Sequence, residues 1–275
     1  MNENNFTPEI SEPDPAAAST KNSRLRKAFN PIIHGAVTKI HERYPGVTPD
    51  NITHFGRNMI IGANAGTALF PDHAALAVPF YTVGGMADGG DGFLADTISE
   101  ETGVPKPIEG MLHDSATDRL VEMVTFANLS LLARRRGNKY AAALYAVALM
   151  TSGWSAVTRA EYESHGFVGE EGGFGTHADR LIMGGVGLGL NKRPAVSNAV
   201  SALVVVSNLT TAKDRLDILR HGSAAPGYKS RNYDPEFSAA AKLRQRKVLL
   251  PMAAAGFITG AALLVTTPGS RKSLS

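Results

Sequence analysis

No cysteine occurs among the 275 residues. That absence excludes a disulfide framework, thiolate zinc sites and cysteine catalysis together. Charge is scarce as well: Asp, Glu, Lys and Arg make up 19% of the chain, below the roughly 25% of ordinary soluble domains. The start lacks the basic segment and apolar run of a signal peptide, and no tandem repeat is present. With 28 Lys and Arg against 25 Asp and Glu, the formal charge is only +3. A mean hydropathy of −0.08 leaves soluble and membrane classes both open. The length supports one or two domains with a real core. The class is decided by where charge is missing.

Tyr140 to Thr158, Pro194 to Ala212 and Val248 to Ser270 hold no charged side chain. Each approaches or exceeds the ~20 residues a helix needs to cross a bilayer. Asn58 to Pro71 and Ala74 to Ala87 are shorter uncharged runs split by Asp72 and His73. They read as a helical hairpin turning at Phe70-Pro71-Asp72. Any one such run also suits an Ala-rich core helix of a soluble bundle; the set together points to an all-α, polytopic membrane helix bundle. Spans are expected near 51–71, 74–96, 108–134, 139–162, 177–191, 194–221 and 248–268. Gly62, Ala63, Ala65, Gly66, Gly84 and Gly85 are small enough to let helices approach closely.

Residues 1–20, polar, acidic and proline-bearing, are expected to be disordered. Over 24–44, Leu25, Phe29, Ile32, Ile33, Val37 and Ile40 recur at helical spacing among Arg26, Lys27, Lys39 and Arg43. This reads as a basic amphipathic helix on the membrane surface, or as an ordinary surface helix, with Pro31 interrupting either. The connection 223–247 is basic, and placing the N-terminus inside puts it in the cytoplasm, in accord with the positive-inside rule. Arg134, Arg135, Arg136 and Lys139 then fall on the other side, against that rule.

The chemistry-bearing segment is Asp88-Gly-Gly-Asp91-Gly92-Phe-Leu-Ala95, followed by Gly110-Met-Leu-His-Asp114-Ser-Ala-Thr-Asp118-Arg119. Asp88 and Asp91 are three apart and Asp114 and Asp118 four apart, so each pair shares a helix face. Taken alone, such pairs also suit a solvated face. Inside a membrane bundle, facing pairs make a carboxylate cage suited to hard divalent cations. Glycines at 92 and 110 remove side chains where a bulky phosphate must come close.

The combination resembles the signature of the CDP-alcohol phosphatidyltransferases, Asp-x2-Asp-Gly-x2-Ala-Arg, a spacer, then Gly-x3-Asp-x3-Asp. Asp88, Asp91, Gly92, Ala95, Gly110, Asp114 and Asp118 match it. The likeness extends over roughly 30–220. Thr48-Pro49-Asp50-Asn51-Ile52-Thr53 looks like the opening of the family's first membrane helix, and Arg159-Ala160-Glu161 like the end of its fourth. Gly172-Gly173-Phe174 with Asp179-Arg180-Leu181-Ile182 looks like the opening of the fifth, and Asp214-Arg215-Leu216 like the end of the sixth. These outlying matches resemble the bacterial phosphatidylinositol phosphate synthase branch. Asp96 stands where the family has Arg, the spacer before Gly110 is longer, and Val157 stands where that branch carries a lysine.

The resemblance implies six core transmembrane helices within 21–222 and a homodimer. The charge-free 248–268 segment lies outside it and is read as an additional transmembrane helix. The implied reaction is transfer of a phosphatidyl group from CDP-diacylglycerol to an alcohol, releasing CMP, with inositol phosphate, glycerol 3-phosphate or another small alcohol as acceptor. By the same resemblance Asp88, Asp91, Asp114 and Asp118 hold two Mg²⁺ or Mn²⁺ ions, and Asp118 is also the catalytic base. Asn51, Thr53, Asp91, Gly92, Ala95, Gly110 and Asp114 contact the CDP-lipid, although Asn51 and Thr53 also suit a helix cap. Arg159, Arg180 and Arg215 bind a phosphate on the acceptor. The implied location is a bacterial cytoplasmic membrane, with the site facing the cytoplasm.

Other signals carry less. Membrane prenyltransferases also use aspartate-rich helices, but they would not explain Gly92, Gly110 and the three-then-four spacing together. A family member without turnover, serving as a membrane interaction module, is the non-enzymatic alternative, motivated by Asp96. His113 points off the Asp114 face. Gly169 to Gly175 lacks the Lys-Ser/Thr ending of a phosphate loop. Asn51, Asn128 and Asn208 open glycosylation-like triplets, yet lie in or beside expected spans. A pI of about 9.1 raises nucleic acid as a partner, but the cations flank membrane segments without interleaved aromatics, which argues against it.

Overall fold

A computed structural model describes residues 24–104, 108–165, 167–169, 176–221, 228–230 and 235–266. Nearly all of them are helical: α1 (Arg24–Arg43), α2 (Pro49–Leu69), α3 (Val78–Thr102), α4 (Ile108–Arg135), α5 (Lys139–Ser164), α6 (His177–Gly189), α7 (Pro194–His221), α8 (Pro235–Arg244) and α9 (Leu250–Val265). Among the described residues, strand pairing is confined to β1 (Phe167–Gly169) against β2 (Tyr228–Ser230), antiparallel. The expected tail 1–20 and the Gly172–Phe174 stretch lie outside the described residues.

Local chemistry sets the helix ends. At α2 the Asn51 N–H donates to Thr48 Oγ1 at 3.3 Å, and the Thr48 N–H donates to Asn51 Oδ1 at 3.0 Å. That reciprocal cap is followed by Pro49, whose missing N–H costs nothing in a first turn. Thr176 and Asp179 form the same box at the start of α6. The turn expected at Phe70-Pro71-Asp72 is the beginning of a 3₁₀ segment, Pro71–Ala77, since Pro71 cannot continue α2.

The connection expected over 223–247 differs more. From Pro235 it is helical, running through α8 and a π turn at Gln245–Leu249 into α9. Pro251 has no N–H for the carbonyl of Lys247, and the wider turn sits at that gap in the ladder. The helix expected to start at 248 therefore starts earlier, and Lys242, Arg244, Arg246 and Lys247 belong to it.

Close contacts set the packing. A Cβ on Gly84 would stand 2.7 Å from the Gly56 carbonyl, so α2 and α3 cross backbone to backbone there. Gly184 does the same service for α6, whose added Cβ would meet the Tyr81 hydroxyl at 2.5 Å. Gly62 and Gly66 do not join helices: nothing described lies within 4 Å of their Cβ positions. They line an apolar groove of about 510 Å³ with Met59, Phe70 and Phe80. The main core lies among α3 to α7, around Phe126, Leu129, Tyr145, Leu149, Leu188 and Val204. Through it runs a buried polar seam. The Asn64 side-chain amide donates to Thr125 Oγ1 at 3.1 Å, and that of Asn128 donates to Asn64 Oδ1 at 3.0 Å and Thr67 Oγ1 at 2.6 Å. Asn208 reaches Thr151 Oγ1 at 3.1 Å, so Asn128 and Asn208 both join helices.

Among the described residues, three segments are long and apolar enough to cross a membrane: Lys139–Glu161, Pro194–Asp217 and Ser238–Val265. The spans expected at 51–71, 74–96, 108–134 and 177–191 form helices but fall below that mark. With 13 residues, α6 is about 20 Å long. Ile33 and Val37 of α1 are buried beside Leu94 of α3, while Ile32 and Ile40 stay exposed.

Antiparallel succession sorts the helix ends into two poles. At one, Arg135 donates to the Ala68 carbonyl and Arg136 to that of Pro71, both at 2.6 Å, and Arg134 donates to Thr266. Unsatisfied carbonyls and the negative end of the dipole explain these cations locally. Their departure from the positive-inside pattern is thus accounted for by capping. The other pole gathers the starts of α2, α4 and α6 and the ends of α5 and α7.

Candidate metal centre

Three helices deliver one candidate ligand each to this second pole. Asp88 comes from the middle of α3, Asp118 from the first half of α4, and His177 from the first position of α6. Their ligand atoms all lie within 4.8 Å of one another. His177 Nε2 is 3.3 Å from Asp118 Oδ1 and 3.6 Å from Asp88 Oδ2. The Thr176–Asp179 capping box fixes the turn that presents this histidine.

Beneath the three ligands is a buried ion cluster. Glu122, 1% exposed, takes His177 Nδ1 at 2.7 Å and Arg180 Nε at 2.7 Å on Oε1, and Arg119 at 2.6 Å on Oε2. Arg119 also donates to the Ser152 carbonyl at 3.3 Å, tying α4 to α5. A buried carboxylate of this kind is retained only when paired and hydrogen-bonded.

The expected aspartates divide. Asp88 and Asp118 converge. Asp91, 8% exposed, accepts the Thr53 hydroxyl at 2.5 Å and the Gly92 N–H at 2.6 Å. Asp114 is exposed. Both lie outside the three-ligand cluster, yet both are near enough for their charges to act on Asp88, as those of Asp118 and His177 do. Thr53 thus orients Asp91, while Asn51 caps α2. Gly92 faces open space, with nothing described within 4 Å of its Cβ position. Gly110 is half-buried in the first turn of α4, Ala95 is half-buried and Asp96 exposed.

The three arginines also divide. Arg180, 3% exposed, is committed to Glu122. Arg159 donates to Glu163 at 2.8 Å, and Arg215 donates to the Ser155 carbonyl; both are half-buried at the ends of α5 and α7. Arg244 of α8 meets Glu163 from the opposite side. His113 packs edge-on against His54, ring centres 4.7 Å apart.

A divalent cation fits this donor set. Two carboxylates and an imidazole are standard ligands, and His177 Nε2 is buried without a hydrogen-bond partner, the kind of atom a bound ion satisfies. Sequence reasoning missed His177 and Glu122. The first is distant in sequence from the aspartate pairs. The second carried a usable signal, because an acid inside an otherwise uncharged helix needs a partner. No family model, curated protein or solved structure matches the chain.

Proposed function

We propose that this chain is an integral membrane transferase that moves a phosphatidyl group from CDP-diacylglycerol to a small alcohol, releasing CMP. The observation that carries the reading is the meeting of Asp88 and Asp118, one from each half of the aspartate pattern, on facing helices. A Mg²⁺ or Mn²⁺ ion held by these carboxylates, with Asp91 and Asp114 at hand for a second, would neutralise charge on the diphosphate. The remaining work falls to the chain. The open space over Gly92 receives the phosphates beside the carboxylates. The acceptor hydroxyl oxygen bonds to the lipid-side phosphorus, and the P–O bond to CMP breaks with its electron pair leaving on CMP. The hydroxyl proton passes to a carboxylate oxygen of Asp118.

Arg159 and Arg215 are the cations offered to a phosphate on the acceptor, which favours inositol phosphate or glycerol 3-phosphate over an uncharged alcohol. Arg180 supports the pole through Glu122. In this reading α2 to α7 are the six-helix core, less apolar where polar groups face the interior, and α9 is a seventh span. By the same resemblance the protein is a homodimer. The pole rich in Arg159, Lys213, Arg215 and Arg244 faces the cytoplasm of a bacterial membrane. Asp96, exposed where the family has an arginine, favours a second reading, a relative that binds the nucleotide without turnover.

The test is CMP release by the full chain in detergent, from CDP-diacylglycerol with Mg²⁺ or Mn²⁺, across inositol phosphate, glycerol 3-phosphate, inositol and serine. Release with a phosphorylated acceptor is the expected result. Metal-dependent CMP binding with no release from any acceptor would select the second reading.

A further inference from the structure

We infer that His177 is itself a metal ligand, and that the cation site selects a transition ion such as Mn²⁺ over Mg²⁺. The inference rests on the metal-dependent reading above and departs from its aspartate-only ligand set.

Three features of the ring point to this role. Glu122 can only accept at His177 Nδ1, so that nitrogen carries a proton, and Nε2 is the nitrogen turned to Asp88 and Asp118, where a bound cation would replace its own proton. Nε2 is buried and makes no hydrogen bond. Glu122 is in turn gripped by Arg119 and Arg180, so the imidazole cannot turn away without breaking a buried ion cluster. A carboxylate behind a histidine whose other nitrogen faces two more carboxylates is the arrangement that orients metal-binding imidazoles.

The spacing agrees. With bonds of about 2.1 Å, a cation sets neighbouring ligand atoms about 3.0 Å apart in an octahedron and about 3.4 Å in a tetrahedron. The observed separations from Nε2 are 3.3 and 3.6 Å, so little side-chain movement would admit an ion. The donor chemistry supplies the selectivity. Mg²⁺ takes oxygen ligands and dehydrates reluctantly, whereas an imidazole nitrogen favours first-row transition ions.

The experiment is Mn²⁺ binding to the full chain in detergent, followed by electron spin echo envelope modulation of the bound ion, which reports directly coordinated imidazole nitrogen. Equilibrium dialysis of Mn²⁺ against Mg²⁺ accompanies it. The wild type should bind Mn²⁺ more tightly than Mg²⁺ and display ¹⁴N modulation. His177→Gln should lose the modulation and weaken Mn²⁺ by at least the roughly 10–100-fold typical of disturbing a metal-ligand histidine's support. His113→Gln should change neither. Bound Mn²⁺ without ¹⁴N modulation in the wild type, a readout that needs no variant to fold, would overturn His177 as a ligand and leave the transferase reading standing. Modulation that survives His177→Gln but vanishes in His113→Gln would do the same. Failure of the wild type to bind Mn²⁺ at all would overturn the metal site and the transferase reading with it.

Discussion

The two sides of the bundle are built on opposite terms. On one, α5, α7 and the continuous helix Ser238–Val265 that ends in α9 are apolar over membrane-crossing lengths, and α9 docks on α5 so closely that a Cβ on Gly153 would stand 2.7 Å from the Ala253 backbone. On the other, α3, α4 and α6 are interrupted by glycine and acid, and they hold Asp88, Asp118, Glu122 and His177. Small residues let helices close on both sides, at Gly153 on the first and at Gly84 and Gly184 on the second; the second adds the buried Glu122 cluster beneath Asp88, Asp118 and His177. In this protein high hydropathy marks the scaffold, and depressed hydropathy marks where the candidate metal ligands gather.

If that division is right, changes at the ligands and changes at the packing contacts should separate activity from stability. The largest effect is expected at Asp88→Ala, which removes a ligand without emptying the core. Metal-dependent CMP release should fall at least the roughly 10–100-fold seen when a ligand's support alone is lost, with an unchanged melting temperature in detergent. Next is Glu122→Ala, which takes the shared carboxylate away from the buried Arg119 and Arg180. It should cost about 3–5 kcal/mol, read as a lowered melting temperature together with weakened Mn²⁺ binding.

Gly84→Leu forces α2 off α3 and should destabilise by about 1–3 kcal/mol. Asn128→Leu opens the polar seam and should cost about 1 kcal/mol, with metal affinity untouched. A melting temperature that moves while metal binding holds would show that packing and the ligands act separately even within α3 and α4; coupled losses in Asn128→Leu would break that separation.

The smallest effect concerns Glu163, where α8 clasps α5. Burial works against its charge, but Arg159 and Arg244 overcome this and hold the carboxyl below the usual carboxylate range. A carboxyl depressed in the folded state contributes stability that is present above its unfolded value of about 4.3 and is lost as pH falls through the lower folded value. Melting temperature should therefore decline below about pH 4.3, and Glu163→Gln should flatten that decline.

Much of this was legible in the residues. Uncharged runs marked α5, α7 and α9, and the Thr48-Pro49 and Pro71 signals bounded α2. The aspartate spacing marked α3 and α4 as the helices that carry the ligands. What one sequence could not carry was partner choice across helices. Asp91 turns to Thr53, Arg180 to Glu122 and Asp118 to His177, each contact joining residues far apart in the chain. The basic stretch before Val248 looked like a loop because its charges mask a helix, α8, that packs on α5 and buries Ala240 and Ala241.

The central claim is that Asp118 takes the acceptor's proton at a metal-loaded Asp88–Asp118 site. It is tested most directly by acceptor-dependent CMP release from CDP-diacylglycerol in the wild type and in Asp118→Asn, side by side at matched folding. The account predicts metal-dependent release in the wild type and a loss of about 10²–10⁴-fold in the variant. Equal release from both would contradict it.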